Sequence, residues 1–139
     1  MKRYSDLLDI DTRLNLRLEL EPIGNPDICI SVDNYQQDYI LSDNKIIDYR
    51  LDLLKPFSVV IELRNKQYNL NNETAVIVKL SIDDINIIPK YDYLAEYDND
   101  HDYHKPTSHL GFNGKWTLTF DCPFYHWLHL HSGQGWLFG

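Results

Sequence analysis

Alanine is nearly missing from this chain: Ala75 and Ala95 are the two in 139 residues. The strongest helix former is thus scarce where Ile, Tyr and Asn abound, which speaks against a helical bundle and for strands and turns. Long apolar runs are missing too. None approaches the roughly 18 residues of a spanning helix, so no membrane partner is expected. The opening Met1-Lys2-Arg3-Tyr4-Ser5-Asp6 lacks the apolar core of a signal peptide, and synthesis and retention in a cytosol are expected. Basic residues are few, 13 against 21 acidic, for a formal charge of −8. Such a surface repels phosphate backbones, so nucleic acid is not an expected partner. Only two cysteines occur, Cys29 and Cys122, and cytosolic thiols usually stay reduced. Internal repeats, low-complexity tracts and interdomain linkers are absent as well. The expectation is a polar N-terminal arm at 1–11 followed by one domain at 12–139.

What is present is period-two alternation. Leu14, Leu16, Leu18 and Leu20 alternate with Asn15, Arg17 and Glu19, which predicts a half-buried strand. Ile28, Ile30 and Val32 repeat the pattern after the turn cluster Pro22, Gly24, Asn25 and Pro26. Tyr39 and Leu41 suggest a short third strand, and Ile47, Tyr49, Leu51 and Leu53 a fourth. Pro56 breaks the run before Phe57, Val59, Ile61 and Leu63. Thr74 to Ile88 is long and apolar, and Asp83-Asp84 is expected to mark a bulge or turn within it. From Pro89 to Pro106 periodicity stops, predicting a Tyr- and Asp-rich loop of a length that often carries function. Gly111-Phe112-Asn113-Gly114 reads as a tight turn before a last strand at Trp116, Leu118 and Phe120. Asp121 is placed to cap a short helix from Cys122 to about His131. Seven strand-like runs with turn signals at short spacing point to a β-sandwich or barrel, and the expected fold is an all-β antiparallel sandwich with one short C-terminal helix.

Several of these segments, taken in order, resemble a known fold. Leu14 to Leu18, Pro26 to Asp33, Phe57 to Leu63, Glu73 to Val78 and Ile82 to Ile85 resemble the front half of a carbohydrate-binding jelly roll. The order is similar to that of calcium-dependent xylan-binding modules, and more closely to a group of small uncharacterised proteins of marine tailed phages. The phage group also carries a back half like Leu110 to Trp116 and Phe124 to His129. The resemblance spans Leu14 to about Trp136 and implies a jelly-roll sandwich. Val78 stands where the xylan-binding pattern has an Asp ligand for calcium, and a valine side chain supplies no oxygen.

Five groups of residues offer chemistry. Asp98, Asp100 and Asp102 have the Asp-x-Asp-x-Asp spacing of a calcium loop, the one cofactor the chain suggests. An EF-hand loop would need Gly and Glu where Tyr103 and His109 stand, so a solvated acidic loop is the expected reading. His101, His104 and His109 with Asp102 permit a transition metal by spacing, with exposed loop histidines as the default. His126, His129 and His131 surround Trp127, and no Gly-x-Ser-x-Gly elbow accompanies Ser132 or Cys122, so no catalytic residue is nominated. Glu73 reads as the end of a turn, with cation binding as the rival. Aromatic residues crowd the back half. Trp116 and Trp127 are expected in the core. Tyr93, Tyr97, Tyr103, Trp136 and Phe138 are the candidates for contact with a partner or a glycan, because aromatic faces stack on sugars and anchor interfaces.

The functional expectation is a non-catalytic structural component of a tailed-phage particle, on the tail, baseplate or capsid exterior. It would be made in the host cytoplasm, reside in the virion in many copies, and act through other virion proteins. The alternative is a module that grips host-surface glycan, with or without calcium.

Overall fold

The computed structural model describes residues 13–52, 54–69, 72–121 and 123–131. The predicted arm at 1–11, the thiol of Cys122, Ser132, and the contact candidates Trp136 and Phe138 lie outside the described residues.

Among the described residues, ten strands and one α-helix form in chain order. They are β1 (Arg13–Ile23), β2 (Asp27–Val32), β3 (Tyr35–Ile40), β4 (Lys45–Asp52), β5 (Phe57–Arg64), β6 (Ala75–Ile82), β7 (Ile85–Ile88), β8 (Glu96–Asn99), β9 (His109–Leu110), β10 (Gly114–Phe120) and α1 (Phe124–His131). One five-stranded sheet runs β4-β1-β6-β7, with β9 also pairing β6; the other runs β3-β2-β5-β10-β8. Every pairing between described strands is antiparallel. Most connections cross from one sheet to the other, as in a jelly roll.

Alternation decides which face is buried. Leu14, Leu16, Leu18 and Leu20 of β1 are fully buried, while Arg13, Asn15 and Arg17, which alternate with them, are exposed. Ile28, Ile30 and Val32 of β2, Val59, Ile61 and Leu63 of β5, and Trp116, Leu118 and Phe120 of β10 oppose them. Each such side chain contributes about 1.5–3 kcal/mol relative to exposure. Trp116 and Trp127 both lie in the core, as the sequence predicts. Cys29 is a buried free thiol beside Gln36, whose Nε2 points at Sγ from 3.6 Å.

One expectation resolves to one of its two alternatives, and another needs correction. Asp83-Asp84 is a hairpin turn between β6 and β7, with φ of 49° and 66°, the left-handed pair that a two-residue hairpin demands. The bulge lies elsewhere, between Leu80 and Ser81. The 89–106 segment is not loop throughout. It holds a 3-10 turn at Asp92–Leu94 and then β8, which pairs with β10. β8 is four residues long with Tyr97 its one buried side chain, too short for a period to show.

The helix closes one end of the sandwich. Phe124 and Trp127 pack against Phe120, with ring centroids 5.8 Å and 4.7 Å away. It begins two residues later than predicted, with the Pro123 carbonyl accepting from the amides of His126 and Trp127.

Candidate functional site

At the end opposite α1, the last residues of β1 and the first of β6 meet the 99–113 connection. Ile23 and Ala75 form one wall of a cleft of about 610 Å³, and Tyr97, Tyr103 and Phe112 form another. Lys66, Glu73, Thr107, His109 and Gly111 complete the lining. A volume of this size lies within the range of small-ligand sites, and mixed aromatic and polar walls are their usual chemistry.

The cleft is held by side chains that replace missing strand pairing. Asn99 organises the loop above it. Its Nδ2 donates to the carbonyls of Tyr97 (2.9 Å) and Tyr103 (2.8 Å), and its Oδ1 accepts from the amides of His101 (3.0 Å) and Tyr103 (3.1 Å). Asn113 extends the β5–β10 ladder in the same way. Its Oδ1 accepts from the Lys66 amide at 2.8 Å and its Nδ2 donates to the Lys66 carbonyl at 2.9 Å. Lys66 Nζ then donates to the Gly111 carbonyl at 2.7 Å.

Tyr97 is buried, and its hydroxyl donates to the Phe112 carbonyl and accepts from the Phe112 amide at 3.0 Å. Burial pushes its phenol up to about 12. It therefore positions the 111–113 turn, with its ring as part of the cleft wall. Phe112 carries His101 stacked on its outer side, centroids 4.4 Å apart at 15°. Tyr68 meets the same imidazole edge-on at 4.4 Å. The Tyr68 hydroxyl donates to Asp100 Oδ1 at 2.6 Å and accepts from the Asn113 amide at 2.7 Å. That hydrogen bond from Tyr68, joined by one from His101, holds the Asp100 carboxyl below the usual carboxylate range.

The structure gathers only part of the predicted set. Tyr97 and Tyr103 share the cleft. Tyr93 does not: it stands 54 % exposed at the helix end, its hydroxyl 3.5 Å from the His131 carbonyl. Asp98, Asp100 and Asp102 do not converge, and no group of three or more His, Cys, Asp or Glu among the described residues is placed to hold a metal. Asp98 of β8 stands opposite Lys115 of β10, Asp100 is engaged by Tyr68 and His101, and Asp102 occupies a left-handed position at φ 50°. The same holds for His101, His104 and His109, of which only His109 lines the cleft. Sequence reasoning missed Lys66, Asn99, Thr107 and Phe112. Phe112 had a readable signal, an aromatic residue at the tip of a Gly-flanked turn. Asn99 had none.

No protein-family model, curated protein or solved structure matches this chain.

Proposed function

We propose that the chain is a non-catalytic structural component of a tailed-phage particle, acting through contacts with other virion proteins. The observation that carries this reading is β3. It is an edge strand with five of its six residues exposed, including 55 % of Tyr35 and 74 % of Ile40. Apolar side chains held in water on an open sheet edge are the usual material of a protein interface. The resemblance to small marine phage proteins supplies the setting, the exterior of tail, baseplate or capsid. A non-catalytic role also fits the cleft, whose lining has, among the described residues, a single carboxylate, Glu73, where glycoside hydrolysis takes two.

The test is Ile40→Asp in particles assembled with the mutant chain. Melting should stay near native, because the side chain contributes little to the core, while incorporation should fall. Absence of the chain from purified particles by mass spectrometry would defeat the reading.

The cleft favours a second reading, a module for host-surface glycan. Aromatic walls beside Lys66, Glu73, Thr107 and His109 offer stacking together with hydrogen-bonding partners for hydroxyls. Titration of the isolated chain with oligosaccharides should then shift amide signals at residues 103–112. Glu73→Gln should weaken binding, and chelation of calcium should leave it intact. Signals that do not move with any glycan tested on host-surface extracts would remove this reading.

A further inference from the structure

Among the described residues, four of the five edge strands carry the devices that discourage strand addition. β7 and β8 are four residues long and β9 is two. β4 alternates charges through Lys45, Asp48, Arg50 and Asp52. Short length and charge are the common means of blunting an edge. β3 has neither. It runs six residues, Tyr35-Gln36-Gln37-Asp38-Tyr39-Ile40, with no proline, no cation and one charge. That charge, Asp38, sits 3.5 Å from Arg64 Nη1.

We propose that β3 pairs antiparallel with β3 of a second copy of this chain, joining two five-stranded sheets into one continuous sheet about a two-fold axis at Gln37. This rests on the contact-making reading above and names the partner. Sheet geometry selects the register. Outward-pointing amides and carbonyls belong to alternate residues, so identical strands can pair symmetrically only with one residue facing its own copy. An axis at Asp38 would set two carboxylates face to face, which is destabilising. An axis at Gln37 sets Tyr35 opposite Tyr39 of the partner subunit and Gln36 opposite Asp38 of the partner subunit. Aromatic then meets aromatic, and an amide donor meets a carboxylate acceptor.

The neighbouring surface fits the same occupant. Tyr35, Gln37 and Tyr39 stand across from Val32, Ile30 and Ile28, so they share the face that looks toward the other sheet. There Tyr35 and Gln37 border a groove of about 480 Å³ that β3 shares with Ile47 and Tyr49 of β4. Tyr35 and Tyr49 are already in ring contact, 5.7 Å between centroids. The partner's Tyr39 extends that aromatic row by one ring. Each copy carries a formal charge of −8, so long-range repulsion opposes the pairing and salt relieves it.

Sedimentation velocity on the full chain tests this directly. The expected result is a concentration-dependent dimer that tightens as sodium chloride is raised. Gln37→Lys sets two ammonium groups on the axis and should give a monomer with near-native melting. Gln37→Cys should form a disulfide-linked dimer on oxidation, and Gln36→Cys should not. A wild-type monomer at every concentration and salt overturns the inference, as does a Gln37→Lys chain that folds and still dimerises. A monomer that nevertheless enters particles overturns only the pairing. A dimer absent from particles overturns only the virion role.

Discussion

Asn99 uses both ends of one amide to hold four backbone groups of the 97–103 segment. An aspartate keeps the acceptor and loses the donor, whereas an alanine loses both. Leaving partly buried backbone groups unmet costs about 1–3 kcal/mol. Asn99→Ala should therefore lower the denaturant midpoint, and Asn99→Asp should recover part of the loss. The tyrosines report on the core from the other direction. Burial raises the phenols of Tyr49, Tyr97 and Tyr125 to about 12, with Asp83 adding to the shift at Tyr125. A raised phenol favours the folded state while neutral, so its contribution is complete below about 10, its unfolded value. That contribution is lost as pH climbs from there to about 12. Phenolate absorbance should rise together with loss of structure in this window, and Tyr97→Phe should unfold with a shallower alkaline dependence. Asp100 has the opposite sign. Its lowered carboxyl stabilises the fold above the ordinary carboxylate range and ceases to do so as pH falls through its folded value. The difference in melting between wild type and Asp100→Asn should shrink in acid.

Two turns show how single positions govern whole elements. Asp83 accepts from the Asn15 amide at 2.9 Å and from the Tyr125 hydroxyl at 2.6 Å, so one carboxylate ties the β6–β7 turn to β1 and to α1. Asp83→Ala should loosen the helix before the sheets, with amide exchange rising first in 124–131. Gly114 answers a different need. A Cβ there would lie 2.2 Å from the Asp98 carbonyl oxygen and 2.6 Å from the Asn99 Cα, so only glycine lets β10 lie beside the end of β8. Gly114→Ala should detach β8 and with it the Tyr97 wall of the cleft, seen as lost protection at 96–99 while 57–63 stays protected. The alternating strands β1, β2 and β5 could be read from their leucines, isoleucines and valines because a half-buried strand writes its period into the chain. β8 could not, since a four-residue edge with one inward tyrosine writes none.

The molecule is asymmetric from end to end and from edge to edge. Phe120, Phe124 and Trp127 close one end, and the cleft opens at the other. One lateral side exposes β3 and the groove beside β4. Glycan binding and self-pairing would thus use separate surfaces, and Glu73→Gln should leave the sedimentation of the chain unchanged. Gln37→Lys should likewise leave any glycan titration unchanged. A loss of both properties in either variant would mean that the two surfaces are coupled.

The chain's own alternation set the class of fold. Alternation over β1, β2, β5 and β10 requires a sheet packed on a second sheet or closed on itself, because each strand has one apolar face to bury. It also determined that Trp116 and Trp127 are core, since both sit in phase with buried neighbours. It did not determine the site. Asp98, Asp100 and Asp102 look alike in spacing, yet a cross-strand lysine, a tyrosine hydroxyl and a left-handed turn set them apart. Lys66, Tyr97, Thr107 and Phe112 look unrelated in the chain, yet the meeting of two sheets at one end makes them neighbours. Tertiary structure alone decided this, because a cleft between strand ends is built from residues whose only common property is where the strands stop.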